Sequence, residues 1–224
     1  MKLTLTIPET LKEITLNQYQ QWLKVAEDKE MTDFLKQKMI EIFCGITLNQ
    51  VLQIKATDVD EIVNDLSKLF KQDTSLINKF TLEGVEYGFE PKIDEITFGA
   101  YVDLDTYMAD WQQMHKAMSV LFRPVTFTKK KKKWYNFLMW WSINEDQYLI
   151  KEYASANKYD LKEMTLDVVF GSLVFFWRLR NELQKHILSF LANQSGITLP
   201  PEMKASLLNG IGTTQSLPFQ VETS

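Results

Sequence analysis

The sequence is poor in the residue types that commonly build catalytic and metal-binding sites. Its 224 residues include a single cysteine, Cys44, and two histidines, His115 and His186. One cysteine excludes an intramolecular disulfide and favours a reducing, intracellular compartment. Because Cys44 lies in an apolar run and neither histidine is near it in sequence, we interpret it as a small buried side chain rather than a catalytic thiol.

The ionisable residues also lack the arrangement of a known catalytic or metal-binding motif. Neither histidine has a second ligand at helical spacing, and the chain has no glycine-rich phosphate loop, nucleophile elbow or zinc signature. Two clusters of acids are typical of helix starts, where the helix dipole favours negative charge, and they lack the spacing of a calcium loop. They are Asp58, Asp60 and Glu61, and Asp103, Asp105 and Asp110. We therefore expect a non-enzymatic protein with no metal and no cofactor.

Neither a strong net charge nor a long apolar run is present. The formal net charge is -4, so contact with nucleic acid or an anionic membrane requires a local basic patch. The most apolar stretch covers residues 166–177 and ends before Arg178. A membrane-spanning helix needs roughly 20 apolar residues. We therefore expect a buried helix here, no transmembrane segment and a soluble protein.

Helix signals dominate the first part of the chain. Thr15 stands at an N-cap position, and apolar residues follow it at helical spacing up to residue 26. A second helix is predicted over residues 32–43, with Gly45 ending it. The polar and acidic cluster at residues 57–61 predicts the start of a further helix that continues through residue 70.

Strand signals are fewer and shorter. The alternation of apolar and polar residues predicts a strand over residues 2–7, closed by Pro8. Residues 80–89 are typical of a hairpin with Glu83-Gly84 at its turn. Residues 125–127 and 148–153 are expected to form the two arms of a strand-like excursion.

Four segments of the first half have counterparts in the same order further along the chain. Residues 13–19 parallel 95–101, 31–34 parallel 108–111, 43–47 parallel 122–126, and 55–59 parallel 162–168. Agreement in order, and in spacing up to Thr126, favours an internal duplication of a strand–helix–helix module. Each copy would offer a strand and an apolar helical face, which favours packing of the copies together.

Together these signals predict a mainly α protein with small β elements (α+β), built from two diverged copies of one module. We place the first module at residues 1–78 and the second at 79–193, with a β-like insertion at about 127–160. Residues 194–224 contain Pro200-Pro201 and many serines and threonines. This composition predicts a flexible tail with one short helix at residues 202–208.

The insertion has the composition that most indicates a functional surface. Its candidate partner-binding residues are five lysines followed by aromatic residues: Lys129, Lys130, Lys131, Lys132, Lys133, Trp134, Tyr135, Trp140 and Trp141. Four interpretations stay open: packing on the protein's own core beside a solvated turn, docking onto a partner protein, stacking on single-stranded nucleic acid, and a membrane interface. The net negative charge and the nearby acids Glu145 and Asp146 weigh against the last two.

Part of the chain resembles a group of proteins encoded among the morphogenesis genes of tailed bacteriophages. Four phrases carry the resemblance: residues 87–91 (YGFEP), 96–105 (ITFGAYVDLD), 114–124 (MHKAMSVLFRP) and 166–171 (LDVVFG). They cover roughly residues 85–183, with a fainter match in the first module. In the related sequences the stretch after the Arg-Pro pair is short, so the lysine–tryptophan insertion is a departure from the group.

Proteins of this group resemble tail-assembly chaperones, which bind tape-measure or tail-tube subunits before these polymerise. The resemblance implies no catalytic residues. It implies partners among the other phage structural proteins (tape measure, tail tube or connector) and a location in the host cytoplasm during assembly or in the virion, with a homo-oligomer left open. One alternative is a stoichiometric virion component, such as a neck, connector, tail or packaged protein. A second is a nucleic-acid-binding protein that uses the insertion.

Overall fold

Helices and a small antiparallel sheet make up residues 5–26, 30–90, 96–128 and 148–176, which are the residues that the computed structural model describes. The expected fold class, mainly α with small β elements, is confirmed. The chain divides into two compact units. Unit 1 comprises the residues up to Leu76 together with those from Thr165 onward, and unit 2 comprises Ile77–Met164.

Unit 1 is helical throughout its described core. Its helices are α1 (Leu16–Ala26), α2 (Asp33–Cys44), α3 (Leu48–Val51), α4 (Ala56–Leu69) and α7, which covers residues 166–176. A chain of aromatic rings fills the space between them. The ring of Tyr19 lies 5.4 Å from that of Phe70 and 5.4 Å from that of Phe170, so α1, the end of α4 and α7 share one core.

Threonine side chains start helices α1 and α2 where the sequence predicts them. The Thr15 hydroxyl accepts from the Gln18 backbone N–H at 3.3 Å, and the Thr32 hydroxyl accepts from the Leu35 N–H at 3.3 Å. Gly45 ends α2 in the left-handed conformation, with φ of 65°. These caps satisfy backbone groups that a helix end leaves without partners, so the predicted helix ends around residues 15, 32 and 45 are confirmed.

One local prediction in unit 1 needs correction. The strand expected over residues 2–7 is not formed at residues 5–7, which are irregular, while residues 2–4 lie outside the described part. A strand needs a hydrogen-bonded neighbour, and no described strand lies beside these residues. The helix start predicted at residues 57–61 is confirmed, because α4 begins at Ala56 and the cluster forms its first turns.

Helix α7 belongs to unit 1, whereas the sequence analysis placed it in the second module. Its first residues are tied to the start of α1, because the Leu166 N–H donates to the Ile14 carbonyl at 2.9 Å and Thr165 forms a β-bridge with Thr15. Residues 168–173 are all buried. None of the described helices is both long enough and apolar enough to cross a membrane.

Unit 2 is built around a four-stranded antiparallel sheet in the order β1-β2-β3-β4. Its elements are β1 (Lys79–Leu82), β2 (Val85–Phe89), α5 (Phe98–Met108), a 3-10 turn (Trp111–Gln113), α6 (Met114–Leu121), β3 (Phe122–Thr128) and β4 (Tyr148–Ile150). Glu83 and Gly84 form the β1–β2 turn with φ values of 49° and 80°. Positive φ at both turn residues is the geometry of a type I′ hairpin, so the predicted hairpin is confirmed.

Strands β3 and β4 are the arms of the predicted excursion. Val125 pairs with Ile150 and Phe127 with Leu149, with a register shift between the two pairs. Strand β3 is longer than predicted because α6 continues directly into it at Phe122, whereas β4 stops at Ile150 instead of residue 153. The internal duplication itself stays a prediction.

Candidate protein-docking surface

The candidate residues of the insertion lie outside the described residues. This applies to Lys129, Lys130, Lys131, Lys132, Lys133, Trp134, Tyr135, Trp140 and Trp141, and also to the predicted tail at residues 194–224. The structure therefore adds nothing to the four interpretations of the insertion. The described residues direct attention to a different surface, on helix α5 of unit 2.

Helix α5 forms where a cap and a pair of buried residues specify it. The Thr97 hydroxyl accepts from the Ala100 backbone N–H at 3.3 Å and starts the helix. Ala100 and Leu104, one turn apart, are both buried. Because residues three and four apart share a helix face, this pair defines the side of α5 that packs within unit 2.

The opposite side of α5 exposes large apolar residues. The exposed fraction is 82% for Phe98, 50% for Tyr101 and 43% for Val102. Asp105 continues the same face, since residues 98, 101, 102 and 105 follow the i, i+3, i+4, i+7 spacing of one helix side. We call these four residues the α5 face. Isolated exposed apolar residues are ordinary, but three on one helix face form a patch of the kind that marks interaction sites.

The charged side chains on α5 and the turn that follows it are all acidic. Residues 96–113 contain three aspartates and no lysine or arginine. Asp103 accepts a hydrogen bond from the Tyr153 hydroxyl, and Asp110 caps the 3-10 turn by accepting from the Gln112 N–H at 2.8 Å. Asp105 is exposed, and its side chain makes no hydrogen bond or ion pair within the described residues. The face therefore combines an apolar patch with one unpaired carboxylate.

The contact between Asp103 and Tyr153 fixes the flank of α5. Burial and then the hydrogen bond to Asp103 raise the pKa of the Tyr153 hydroxyl, so it stays protonated and donates to the carboxylate. On another side of the helix, the Lys116 ammonium lies 5.0 Å from the centre of the Tyr107 ring. The residues that hold α5 in unit 2 are thus distinct from those of the exposed face.

A second, smaller apolar feature lies at the base of the insertion. Phe127 and Leu149 are register partners on β3 and β4, and both side chains are more than half exposed. Strand β2 pairs with β3 only as far as Pro124, so this part of the ribbon extends beyond the rest of the sheet. The Thr126 hydroxyl donates to the Leu149 carbonyl at 3.1 Å and holds the ribbon together.

Gly88 and Tyr148 pack together and attach this ribbon to the rest of the sheet. The Tyr148 ring lies across Gly88, where an added Cβ would come within 2.5 Å of the ring. The Tyr148 hydroxyl donates to the Phe89 carbonyl at 2.6 Å. Packing of an aromatic ring over a strand glycine is a recognised way to stabilise such a position. Tyr148 therefore anchors β4, and with it one end of the insertion, to β2.

A buried ion pair links β3 to the residue after β2. The Arg123 guanidinium binds the Glu90 carboxylate, and their side chains are 7% and 13% exposed. The Glu90 N–H also donates to the Leu121 carbonyl at 2.8 Å. Because neither charge is accessible, we interpret this pair as a structural contact and not as part of a binding surface.

Three of the residues weighed as catalytic or metal-binding groups, Cys44, His115 and Asp60, have ordinary structural surroundings, whereas His186 lies outside the described residues. Burial raises the pKa of the Cys44 thiol to about 11, which leaves it protonated at neutral pH. Burial, followed by the charge of Lys162, lowers the pKa of His115. Asp60 forms an ion pair with Lys36 at 2.7 Å. In the described ranges no three histidine, cysteine or acidic side chains are grouped as a metal site would require.

The α5 face was not predicted from the sequence, although its residues carry a signal. Helix α5 carries one apolar stripe at residues 100 and 104 and another at residues 98, 101 and 102. A helix on the surface of a small unit needs only one apolar stripe for its core. The second stripe was therefore an excess of apolar residues that folding does not explain.

The scan against family models, the search of the curated proteins and the search of the solved structures each found no match for this chain.

Proposed function

We propose that the chain is a non-enzymatic bacteriophage assembly protein that binds other virion proteins, in the manner of a tail-assembly chaperone. Partner binding would use the α5 face, Phe98, Tyr101, Val102 and Asp105. The α5 face is the observation that carries the proposal, because it is an apolar patch that lies opposite the buried residues of α5 and is largely exposed.

The four phrases that carry the phage resemblance differ in burial, and this difference supports the assignment of the contact to α5. The described residues of 87–91, 114–124 and 166–171 are buried or half-buried, and they build β2, α6, β3 and α7. The apolar composition of those three phrases is explained by their packing inside the protein. Residues 96–105 differ, because six of the ten are exposed. That phrase is therefore the one left for contact with a partner.

The proposal is tested by isolating the tagged full-length chain from cells that produce the phage encoding it. We expect the wild-type chain to retain a tape-measure, tail-tube or connector protein, identified by mass spectrometry. A Phe98→Ser, Tyr101→Ser variant is expected to lose at least about nine-tenths of that partner, since a few aromatic residues carry most of the free energy of a protein interface.

Leu52→Ser is the matched control, because Leu52 is an exposed leucine in unit 1. We expect this variant to retain the partner at the wild-type level. Retention of no virion protein by the wild-type chain, or equal retention by all three chains, contradicts the proposal.

A stoichiometric virion component is the alternative, and the exposed Phe127–Leu149 pair is compatible with a permanent contact inside a particle. Quantitative mass spectrometry of purified particles separates the two functions. A chaperone is expected to be absent or far below one copy per tail. Peptides from this chain at the stoichiometry of a structural protein would replace the chaperone assignment with the component assignment.

A further inference from the structure

The α5 face also restricts the chemistry of the partner, and this step rests on the proposed function. We infer that α5 receives a helix of the partner protein, and that this helix presents an apolar stripe with a lysine or arginine placed to meet Asp105. The inference joins two observations: the i, i+3, i+4, i+7 spacing of the face and its single unpaired carboxylate.

The spacing of the face suits pairing with another helix. Residues 98 to 105 span about 11 Å along the axis of α5, which is close to two turns. Apolar anchors at this spacing are what one helix offers to another in amphipathic helix recognition. A partner helix crossing the face would contact Phe98, Tyr101 and Val102 and would reach the Asp105 carboxylate at the far end.

The unpaired carboxylate determines the charge of that helix. Covering Asp105 with an apolar surface would remove water from an ionised group without a counter-charge, which costs free energy. No lysine or arginine in residues 96–113 is available to neutralise it. A basic residue on the partner removes this cost, so electrostatic complementarity favours a basic amphipathic helix.

The same charge disfavours the other occupants of an exposed apolar face. Nucleic acid and anionic membranes would both bring negative phosphates close to Asp105. In a second copy of the chain packed antiparallel on α5, each Asp105 would lie against Phe98 of the other copy, with no cation nearby. A basic helix is the occupant that satisfies both the apolar residues and the carboxylate.

Two synthetic helical peptides test the inference in the full-length chain. Both have the same leucine stripe, but lysines flank it in one peptide and glutamates in the other, and their binding is measured by fluorescence anisotropy. We expect the lysine peptide to bind about fivefold more tightly, the ratio at the upper end of what an exposed ion pair supplies. Asp105→Lys should reverse this preference, and Phe98→Ser with Tyr101→Ser should weaken both peptides at least about tenfold.

Two variants in unit 1 are matched controls. Asp73→Lys makes the same change of charge at an exposed aspartate, and Leu52→Ser removes an exposed apolar side chain. Both should leave the two affinities unchanged. Equal affinity for the peptides, binding of neither, or an equal effect of Asp73→Lys overturns the inference. The inference is also overturned if the chain self-associates, or binds anionic vesicles, and Tyr101→Ser abolishes that binding.

The peptide test can fail without the proposed function failing. If a tail protein is retained through Phe98 and Tyr101 but the peptides bind equally, the function stands and the basic helix is wrong. If the lysine peptide is preferred but no virion protein is retained in phage-producing cells, the docking chemistry stands and the assembly role is wrong.

Discussion

Gly171 lies on α7 where the main chain of Ser75 passes close to the helix. A Cβ atom at position 171 would lie 2.1 Å from the Ser75 carbonyl oxygen and 2.8 Å from its carbon. These are backbone atoms, so they cannot move aside as a flexible side chain can. The glycine therefore permits the close approach of this segment to α7 in the core of unit 1.

We expect Gly171→Ala to lower the free energy of unfolding by about 1–3 kcal/mol, because overpacking forces the backbone apart. Chemical denaturation of the full-length chain measures this change. Gly99→Ala is the matched control, since Gly99 is a helical glycine with no atom within 4 Å of an added Cβ. It should be neutral or mildly stabilising through helix propensity. Equal effects of the two substitutions would contradict the close contact at Ser75.

The ion pair between Arg123 and Glu90 makes a second prediction at the residue scale. Removing one member of a buried pair deprives the other charge of that counter-charge, so Arg123→Met should reduce the free energy of unfolding by about 3 kcal/mol. Adding Glu90→Leu to that variant should restore part of the loss. Thermal or denaturant unfolding of the two single variants and the double variant gives the coupling. Additive effects would show that the charges do not interact.

The raised pKa of Cys44 predicts that its thiol reacts slowly in the folded chain. With its pKa raised to about 11, the fraction of thiolate at pH 8 should be about 100-fold lower than in the unfolded chain. Alkylation by iodoacetamide should therefore be slow in buffer, fast in denaturant, and faster in the folded chain as the pH rises toward 11. A reaction midpoint near pH 8.5 in the folded state would be the opposite result.

At the scale of elements, strand β4 depends on Tyr148 for its attachment to the sheet. Tyr148→Phe keeps the ring over Gly88 but loses the hydroxyl that donates to the Phe89 carbonyl, so we expect a loss of about 1 kcal/mol. Tyr148→Ala also removes the ring and should cost clearly more. Amide hydrogen exchange at residues 148–150 should become faster in the same order. Unchanged exchange in both variants would show that β4 is held by other contacts.

Elements specified by neighbouring residues could be predicted from the sequence. The caps at Thr15 and Thr32, the end of α2 at Gly45 and the turn at Glu83-Gly84 depend on side chains and φ values within a few residues. Residues 5–7 show the limit of this approach. Their alternating pattern fits a strand, but a strand also needs a neighbour, and the local sequence does not contain that information.

The grouping of the elements was not predictable by the same means. Helix α7 follows unit 2 in sequence but packs with α1 through Phe170 and Tyr19. Nothing in the composition of residues 166–176 distinguishes a partner in one unit from a partner in the other, because an apolar helix fits any apolar core. The α5 face was not predicted for a related reason, because apolar residues at helical spacing are first attributed to the core.

At the scale of the whole molecule, the residues that form the two cores differ from those of the proposed docking surface. Unit 1 contains the aromatic core of Tyr19, Phe70 and Phe170, and unit 2 contains the sheet and the pair of Arg123 and Glu90. The α5 face takes part in neither core. A protein that holds another protein during assembly needs a stable scaffold and an exposed apolar surface, and this division provides both.

Site-specific photo-cross-linking from position 101 tests the central claim most directly. A photoreactive amino acid replaces Tyr101 in the full-length chain, or Leu52 as the control, in cells that produce the phage implied by the proposed function. We predict one cross-linked tail protein from position 101, attached within a basic helical segment, and no such product from position 52. The absence of any virion protein at position 101, or the same products from both positions, would contradict a docking role for the α5 face.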